Sequence, residues 1–309
     1  MITSVFKKST PLNFSLVVIL MLVFFLLFQI QDATWLNSIF SVLGKLGLFT
    51  VLLVSVFIVS FISKKNGLSK DSTYLPFFYF LFLLFFPSLL DDTNLIISNF
   101  FILLALRRLI SLQTLKASKE KIFDASLWIL LASLFHFWSI LFMVLVFISI
   151  LFHVYNDYRN WILPFIALFV AGTIFTLASI LFKIDALSYI NRSVKVDFEI
   201  NYFTNNYQNW SFSIYATVAL FFLFTMLATF SNKPLVLHAA LKKVIASFFI
   251  GILIYIISPN KSNDLLVFTM APLAIMATSY IEMKQRKLNQ ELVLAILIIC
   301  SLFTFFSQL

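Results

Sequence analysis

Charge is scarce in this sequence. Only 11% of its 309 residues are Asp, Glu, Lys or Arg, whereas soluble domains carry about 25%, so an ordinary globular protein is excluded. The chain has just five glycines and three scattered histidines, with no glycine-rich phosphate loop and no serine-centred nucleophile motif. ATP-driven transport by this chain alone is therefore excluded, and a multi-histidine metal enzyme is disfavoured, so we assign no metal ligands.

Cysteine is nearly absent as well. The single thiol, Cys300, lies in an apolar run, so no internal disulfide can form. The N-terminus has a basic start with Lys7 and Lys8, followed by an apolar core of about 18 residues, which is longer than the core of a cleavable signal peptide. We expect an uncleaved first span.

Apolar residues, in contrast, make up 61% of the chain. Apolar runs of about 18 residues or more recur along its whole length, which is typical of membrane-spanning helices. The sequence predicts an all-α polytopic helical membrane bundle with one domain, residues 1–309. About nine full spans are expected, at residues 13–31, 39–63, 74–90, 94–112, 160–182, 212–230, 243–258, 264–282 and 291–308.

The run 126–152 does not fit one perpendicular span. At a rise of 1.5 Å per residue it would extend about 40 Å, against a hydrocarbon core of about 30 Å. It is either one tilted helix or a re-entrant hairpin broken at His136.

The distribution of cations favours the hairpin, since Lys and Arg accumulate on the cytoplasmic side. With a hairpin, 17 of the 22 cations are cytoplasmic. Lys45 lies within a span, and four are outside: Lys183, Arg192, Lys195 and Lys261. A single crossing would leave only 14 inside. The hairpin predicts a cytoplasmic N-terminus, an extracytoplasmic C-terminus and a largest outer loop at 183–211.

The net charge of +9 is explained by this topology, so we expect membrane lipid, and no nucleic acid, as a partner. The richness in Phe, Ile, Lys and Asn is typical of an AT-rich genome and points to a bacterial inner membrane.

Two adjacent carboxylates, Asp91 and Asp92, follow the third span at the outer face. One interpretation is structural, because Asp and Thr side chains at a helix start accept hydrogen bonds from free N–H groups. The other is catalytic: a carboxylate pair at the interface can deprotonate an acceptor hydroxyl or bind a divalent cation.

Two lysines are candidate binding residues on the same face. Lys45 lies inside the second span, where it either reaches the headgroups or pairs with Asp91, Asp92 or a lipid phosphate. Lys261 lies in a polar turn that precedes Asp264, an expected helix N-cap. It either belongs to that turn or faces the same outer cavity as the carboxylates and binds an anionic group.

The loop 183–211 supplies further candidates. Arg192 could hold a lipid phosphate, and the aromatic residues Tyr202 and Trp210 are either part of an interfacial belt or a surface for sugars. His136, at the hairpin tip, is either a helix-packing residue or a proton relay.

Three stretches together resemble a family of uncharacterised multipass inner-membrane proteins of flavobacteria and their relatives. They are VFKKSTPLNF at residues 5–14, the hairpin and next span at residues 131–172, and SPNKSNDLLVFTMAPLAIMATSYIE at residues 258–282. More distantly, the chain is similar to GT-C glycosyltransferases, which take sugars from polyprenyl-phosphate carriers. In that family the acidic residues usually follow the first span, and many members have a large outer domain.

Three functions are compatible with these features. The distant likeness implies glycosyl transfer in the cell envelope from a polyprenyl phosphate, with Asp91 or Asp92 as base or cation ligand. The alternative is a non-catalytic subunit of an envelope assembly or export complex, with protein partners. A secondary transporter is the third candidate. It ranks last because the repeated halves and glycine-broken helices that such transporters often have are not visible in the sequence.

Overall fold

The computed structural model describes residues 2–32, 35–36, 38–183, 185, 188–189, 193–199, 206–259, 261–283 and 286–309. All regular elements within these ranges are helical, as the sequence predicts. The α-helices with defined bounds are α1 (Ile2–Phe6), α2 (Pro11–Gln29), α3 (Ile39–Lys65), α4 (Tyr74–Leu83), α5 (Thr93–Ile110), α6 (Ser118–Phe135), α7 (Met143–His153), α8 (Arg159–Phe182), α9 (Asn206–Ala228), α10 (Leu235–Ile257), α11 (Val267–Ile281) and α12 (Lys287–Gln308).

Eight helical segments of the described chain are long and apolar enough to cross a membrane. The span expected at 74–90 differs from the prediction. It consists of the ten-residue helix α4 followed by a 3₁₀ turn, Pro87–Asp91. Pro87 has no N–H and disfavours helical backbone at the preceding residue, and Phe86 accordingly has φ −133° and ψ 78°. The helix therefore ends early, and the turn that follows carries Asp91.

The segment 118–153 turns back on itself. Helix α6 ends at Phe135. The next residue, His136, has extended backbone angles, and a 3₁₀ stretch, Phe137–Phe142, leads into α7. Lys119, at the start of α6, lies 3.2 Å from Asp157, which follows α7. Both ends of the segment therefore lie at one end of the bundle, and His136 lies at the other.

The bundle thus has two polar ends. The Asp91 end contains the 3₁₀ turn Pro87–Asp91, His136 and the polar residues 258–259 and 261–264. The Arg107 end contains the C-terminal ends of α3 and α5, the beginning of α6 and the residues that follow α7.

The centre of the bundle is formed by α4 and α11. All ten residues of α4 and nearly all of α11 are buried, which matches their apolar character on every face. Helices α10 and α11 approach closely at Gly251, where a Cβ atom would lie 2.7 Å from Thr269 Cγ2 and 3.1 Å from the backbone of Phe268. Only glycine fits there without movement of a neighbour.

Helix α8 lies at the periphery. It packs on α6 through Pro164, Ala167 and Ala171, which are buried and recur at helical spacing. Small residues at such positions let two membrane helices approach closely. Its remaining faces carry exposed large apolar side chains, such as Phe169 at 75% exposure, which suit contact with lipid.

Candidate functional site

Asp91 is held at the end of its 3₁₀ turn by two side chains from other helices. Lys45 Nζ on α3 lies 2.6 Å from Asp91 Oδ1, and Gln29 Nε2 at the end of α2 donates to the same oxygen at 2.5 Å. Gln29 is buried, whereas the Asp91 side chain is 47% exposed. The pairing of Lys45 with the acidic motif is thus present, and it joins three elements.

Asp92 has a different environment from its neighbour. It is the N-cap of α5, and its Oδ1 accepts a hydrogen bond from the Leu95 N–H at 3.0 Å. This contact satisfies one of the free donors of the first helical turn. Asp92 therefore starts a helix, as expected from the structural interpretation of the two adjacent carboxylates.

A third carboxylate, Asp264, lies nearby. It is 8% exposed, it accepts a hydrogen bond from Ser88 Oγ at 2.6 Å, and it is close enough to Asp92 for electrostatic repulsion. The expectation that Asp264 is a helix N-cap is wrong, because Ser262 occupies the cap position and Asp264 lies within the first turn. The sequence signal for this buried carboxylate was an acidic residue directly before a long apolar run.

Lys261 makes its contacts with a different part of the chain. It is 8% exposed, and its Nζ donates to the backbone carbonyl of Asp197 and, at 3.1 Å, to that of Glu199. The described contacts of Lys261 therefore fix an outer-loop segment and do not include Asp91 or Asp92.

That segment, residues 195–199, has hydrogen bonds along one edge to residues that the structure describes. Trp138 Nε1 donates to the Lys195 carbonyl at 3.2 Å, and the Asp197 N–H donates to the Ile257 carbonyl at 3.2 Å. Together with the two Lys261 contacts, the bonds come from residues 195, 197 and 199. Contacts at every second residue are those expected along one edge of an extended segment.

Of the remaining sequence candidates, His136 and Trp210 are described. His136 Nε2 lies 3.1 Å from Ser258 Oγ, and its ring is 5.7 Å from that of Phe268, as expected of a packing residue. Trp210 is stacked on Phe303 at 6.2 Å. Arg192 and Tyr202 lie outside the described residues.

At the Arg107 end lies a buried lysine that was not predicted from the sequence. Lys243 was assigned to a span that begins there, but α10 begins at Leu235 and Lys243 is fully buried within it. Its Nζ donates to the Leu109 carbonyl at 2.5 Å and lies 3.1 Å from His153 Nε2. Pro234, directly before α10, was the signal for the earlier start.

Two acidic side chains outside the spanning helices stabilise loops at this end. The Arg159 backbone N–H and the Lys119 ammonium lower the pKa of Asp157, and the hydrogen bond and charge of Lys64 lower the pKa of Asp71. Both carboxylates are therefore partners of cations in these loops.

The described residues include no group of three or more His, Cys, Asp or Glu side chains arranged to hold a metal ion. No curated protein matches this chain, and no solved structure matches it. One family model, described as a family of unknown function (DUF6427), matches residues 1–309. Since the match covers the whole chain, the protein belongs to the DUF6427 family, whose function is unknown.

Proposed function

We propose that this protein is a non-catalytic membrane subunit of a cell-envelope assembly or export complex. In this proposal it lies in a bacterial inner membrane with its N-terminus in the cytoplasm, and the Asp91 end faces outward. A partner protein binds at that end by adding an extended strand to residues 195–199.

The observation that carries the proposal is the second edge of this segment. In an extended segment the backbone groups of Val196 and Phe198 would point to the edge opposite that used by residues 195, 197 and 199, and no hydrogen bond joins them to a residue that the structure describes. An unpaired edge of this kind is a template for strand addition.

The side chains support the same interpretation. Val194, Val196 and Phe198 alternate with charged residues and are 41%, 48% and 69% exposed. Side chains at every second position of a strand share one face, so the edge presents an apolar surface that would give a partner strand its specificity.

The roles of the acidic motif also fit a structural protein. Asp91 joins α2 and α3 to its own turn, and Asp92 caps α5. Lys261, expected either to belong to its turn or to bind an anion, donates to the backbone carbonyls of residues 197 and 199 and so fixes residues 195–199, the docking segment. These polar residues of the Asp91 end stabilise the surface that the partner would meet.

The experiment is site-specific photo-crosslinking in native membranes. A photo-reactive amino acid replaces Phe198 in one variant and Phe169, equally exposed on α8, in the control. We expect one discrete protein adduct from position 198 and none from position 169. The adduct should disappear when Val196→Pro removes the outward N–H. Identical adducts from both positions, or an adduct that survives Val196→Pro, would contradict the proposal.

The second candidate function is glycosyl transfer from a polyprenyl-phosphate carrier. It is favoured by one observation: both donors to Asp91 contact Oδ1, while the side chain is 47% exposed. The other oxygen, Oδ2, is then the atom that would take the proton of an acceptor hydroxyl. Under this candidate, Asp91→Asn removes activity in vivo without lowering the amount of protein, whereas the assembly subunit retains its function.

A further inference from the structure

A cavity of about 350 Å³ opens at the Arg107 end, between the end of α3, the end of α5 and the beginning of α6. Its volume is within the range of small-molecule sites, about 300–1,000 Å³. Five cationic side chains from these three elements and the loop between α5 and α6 line it: Lys65, Arg107, Arg108, Lys116 and Lys121.

The positive charge of this cavity is largely uncompensated. Arg108 pairs with Asp124 at 2.7 Å, and none of the other four cations forms an ion pair with a residue that the structure describes. Lys65 and Arg107 even share one aromatic ring, since they lie 5.1 Å and 4.9 Å from the centre of Phe61. Holding like charges together costs free energy unless an anion is present.

Cations that only follow the membrane topology would point separately into the headgroup layer. Lys121 instead is fixed at the cavity, where its Nζ lies 2.8 Å from the Ser111 carbonyl and 2.8 Å from Thr114 Oγ1. Lys65 and Arg108 are close enough to repel it. The C-terminal dipole of α5, worth about half a negative charge, offsets less than one of the five cations.

We propose that this cavity binds a phosphate group, carried either by an anionic lipid headgroup or by a free phosphate compound. Arg107 is the residue best suited to contact phosphate oxygens in a bidentate manner, because its guanidinium has no carboxylate partner among the described residues. Lys65, Lys116 and Lys121 supply the surrounding charge. This site is independent of the docking segment at the Asp91 end.

The test uses the purified full chain and two probes. Native mass spectrometry in an equimolar mixture of phosphatidylglycerol and phosphatidylcholine measures retained lipid, and equilibrium dialysis in phosphatidylcholine nanodiscs measures bound inorganic pyrophosphate. A triple variant, Lys65→Gln with Arg107→Gln and Lys121→Gln, should weaken the preferred probe roughly tenfold or more, since three charge-assisted contacts are lost.

The matched control is Lys7→Gln with Lys8→Gln and Lys287→Gln, which removes the same charge outside the cavity and should leave binding unchanged. Lys116→Glu, at an exposed loop position, serves as a second variant that does not threaten folding, and it should also weaken binding. Selective retention of phosphatidylglycerol identifies a lipid headgroup, and bound pyrophosphate identifies a soluble phosphate. Failure of the wild-type chain to bind either probe, or equal binding by the triple variant and its control, would overturn the proposal.

Discussion

Lys45 Nζ lies 2.6 Å from Asp91 Oδ1 and joins α3 to the turn that precedes α5. The two residues are 46 positions apart in the chain, so their contact is a tertiary link between two elements. Lys45 therefore does more than reach the headgroups. Both side chains are partly exposed, at 24% and 47%, and exposed pairs contribute about 0.2–1 kcal/mol. The pair therefore orients the turn more than it stabilises the fold.

The first prediction exchanges the two charges. Lys45→Asp and Asp91→Lys alone should each impair function, since each replaces the attractive pair at 2.6 Å with two side chains of like charge, whereas the double variant restores the pair. The Gln29 amide can rotate to accept from the new lysine. Complementation of a deletion strain measures the result. A double variant as inactive as Asp91→Asn would favour a catalytic carboxylate over a structural one.

The second prediction concerns the N-cap of α5. Asp92→Ala should lower stability by about 1 kcal/mol, because the Leu95 N–H loses its acceptor. Asp92→Asn keeps an acceptor oxygen and should be close to wild type. Thermal unfolding in detergent measures both. Loss of function in Asp92→Asn at wild-type stability would instead indicate that the negative charge is needed for chemistry.

Much of this end of the bundle was predictable from sequence, and the limit has a physical cause. Local rules offer a helix start as one of two interpretations of Asp91 and Asp92, and they predict that Asp91 and Lys45 lie on the same side of the membrane. They do not predict that Lys261 is committed to backbone carbonyls of residues 197 and 199, because that contact depends on how an irregular loop crosses the bundle.

The third prediction tests the topology. In a Cys300→Ser background, single cysteines replace Lys119, Asp157 and Phe198, and intact cells are treated with a membrane-impermeant maleimide. The cysteines at positions 119 and 157 should either both be labelled or both be protected, since the native side chains lie 3.2 Å apart. Position 198 should show the opposite pattern. Labelling of 119 and 157 from different sides would mean that the run 126–152 crosses once.

The fold itself was predicted in class and in most spans, because a membrane helix is recognised from about 20 apolar residues. The errors occur at two places, where the length of an apolar run or the presence of a charged residue predicted the wrong helix bounds. Residues 74–90 are apolar enough for a span, yet Pro87 ends the helix early. The span predicted at 243–258 begins at Lys243 because lysine is costly in lipid, but Lys243 lies inside α10, where its Nζ donates to the Leu109 carbonyl and lies 3.1 Å from His153 Nε2.

The last prediction uses the close contact of α10 and α11. Gly251→Ala would place a Cβ atom 2.7 Å from Thr269 Cγ2 and 3.1 Å from the Phe268 backbone. Thr269 cannot simply rotate away, because its hydroxyl is hydrogen-bonded to Tyr215 at 2.7 Å and to the Leu266 carbonyl at 2.6 Å. We expect a loss of about 1–3 kcal/mol, typical of overpacking.

The control is Gly172→Ala on α8, where no neighbouring heavy atom lies within 4 Å of the added Cβ. It should be neutral or stabilising by about 0.5–1 kcal/mol, the usual gain of alanine over glycine in a helix. Thr269→Ser removes the clashing methyl and keeps the hydroxyl, so it should partly rescue Gly251→Ala and give a non-additive pair. Unfolding in a denaturing detergent measures the stability of the wild type, of the three single variants and of the double variant with Gly251→Ala and Thr269→Ser. If the two glycine variants are equally stable, the two helices do not pack at this distance.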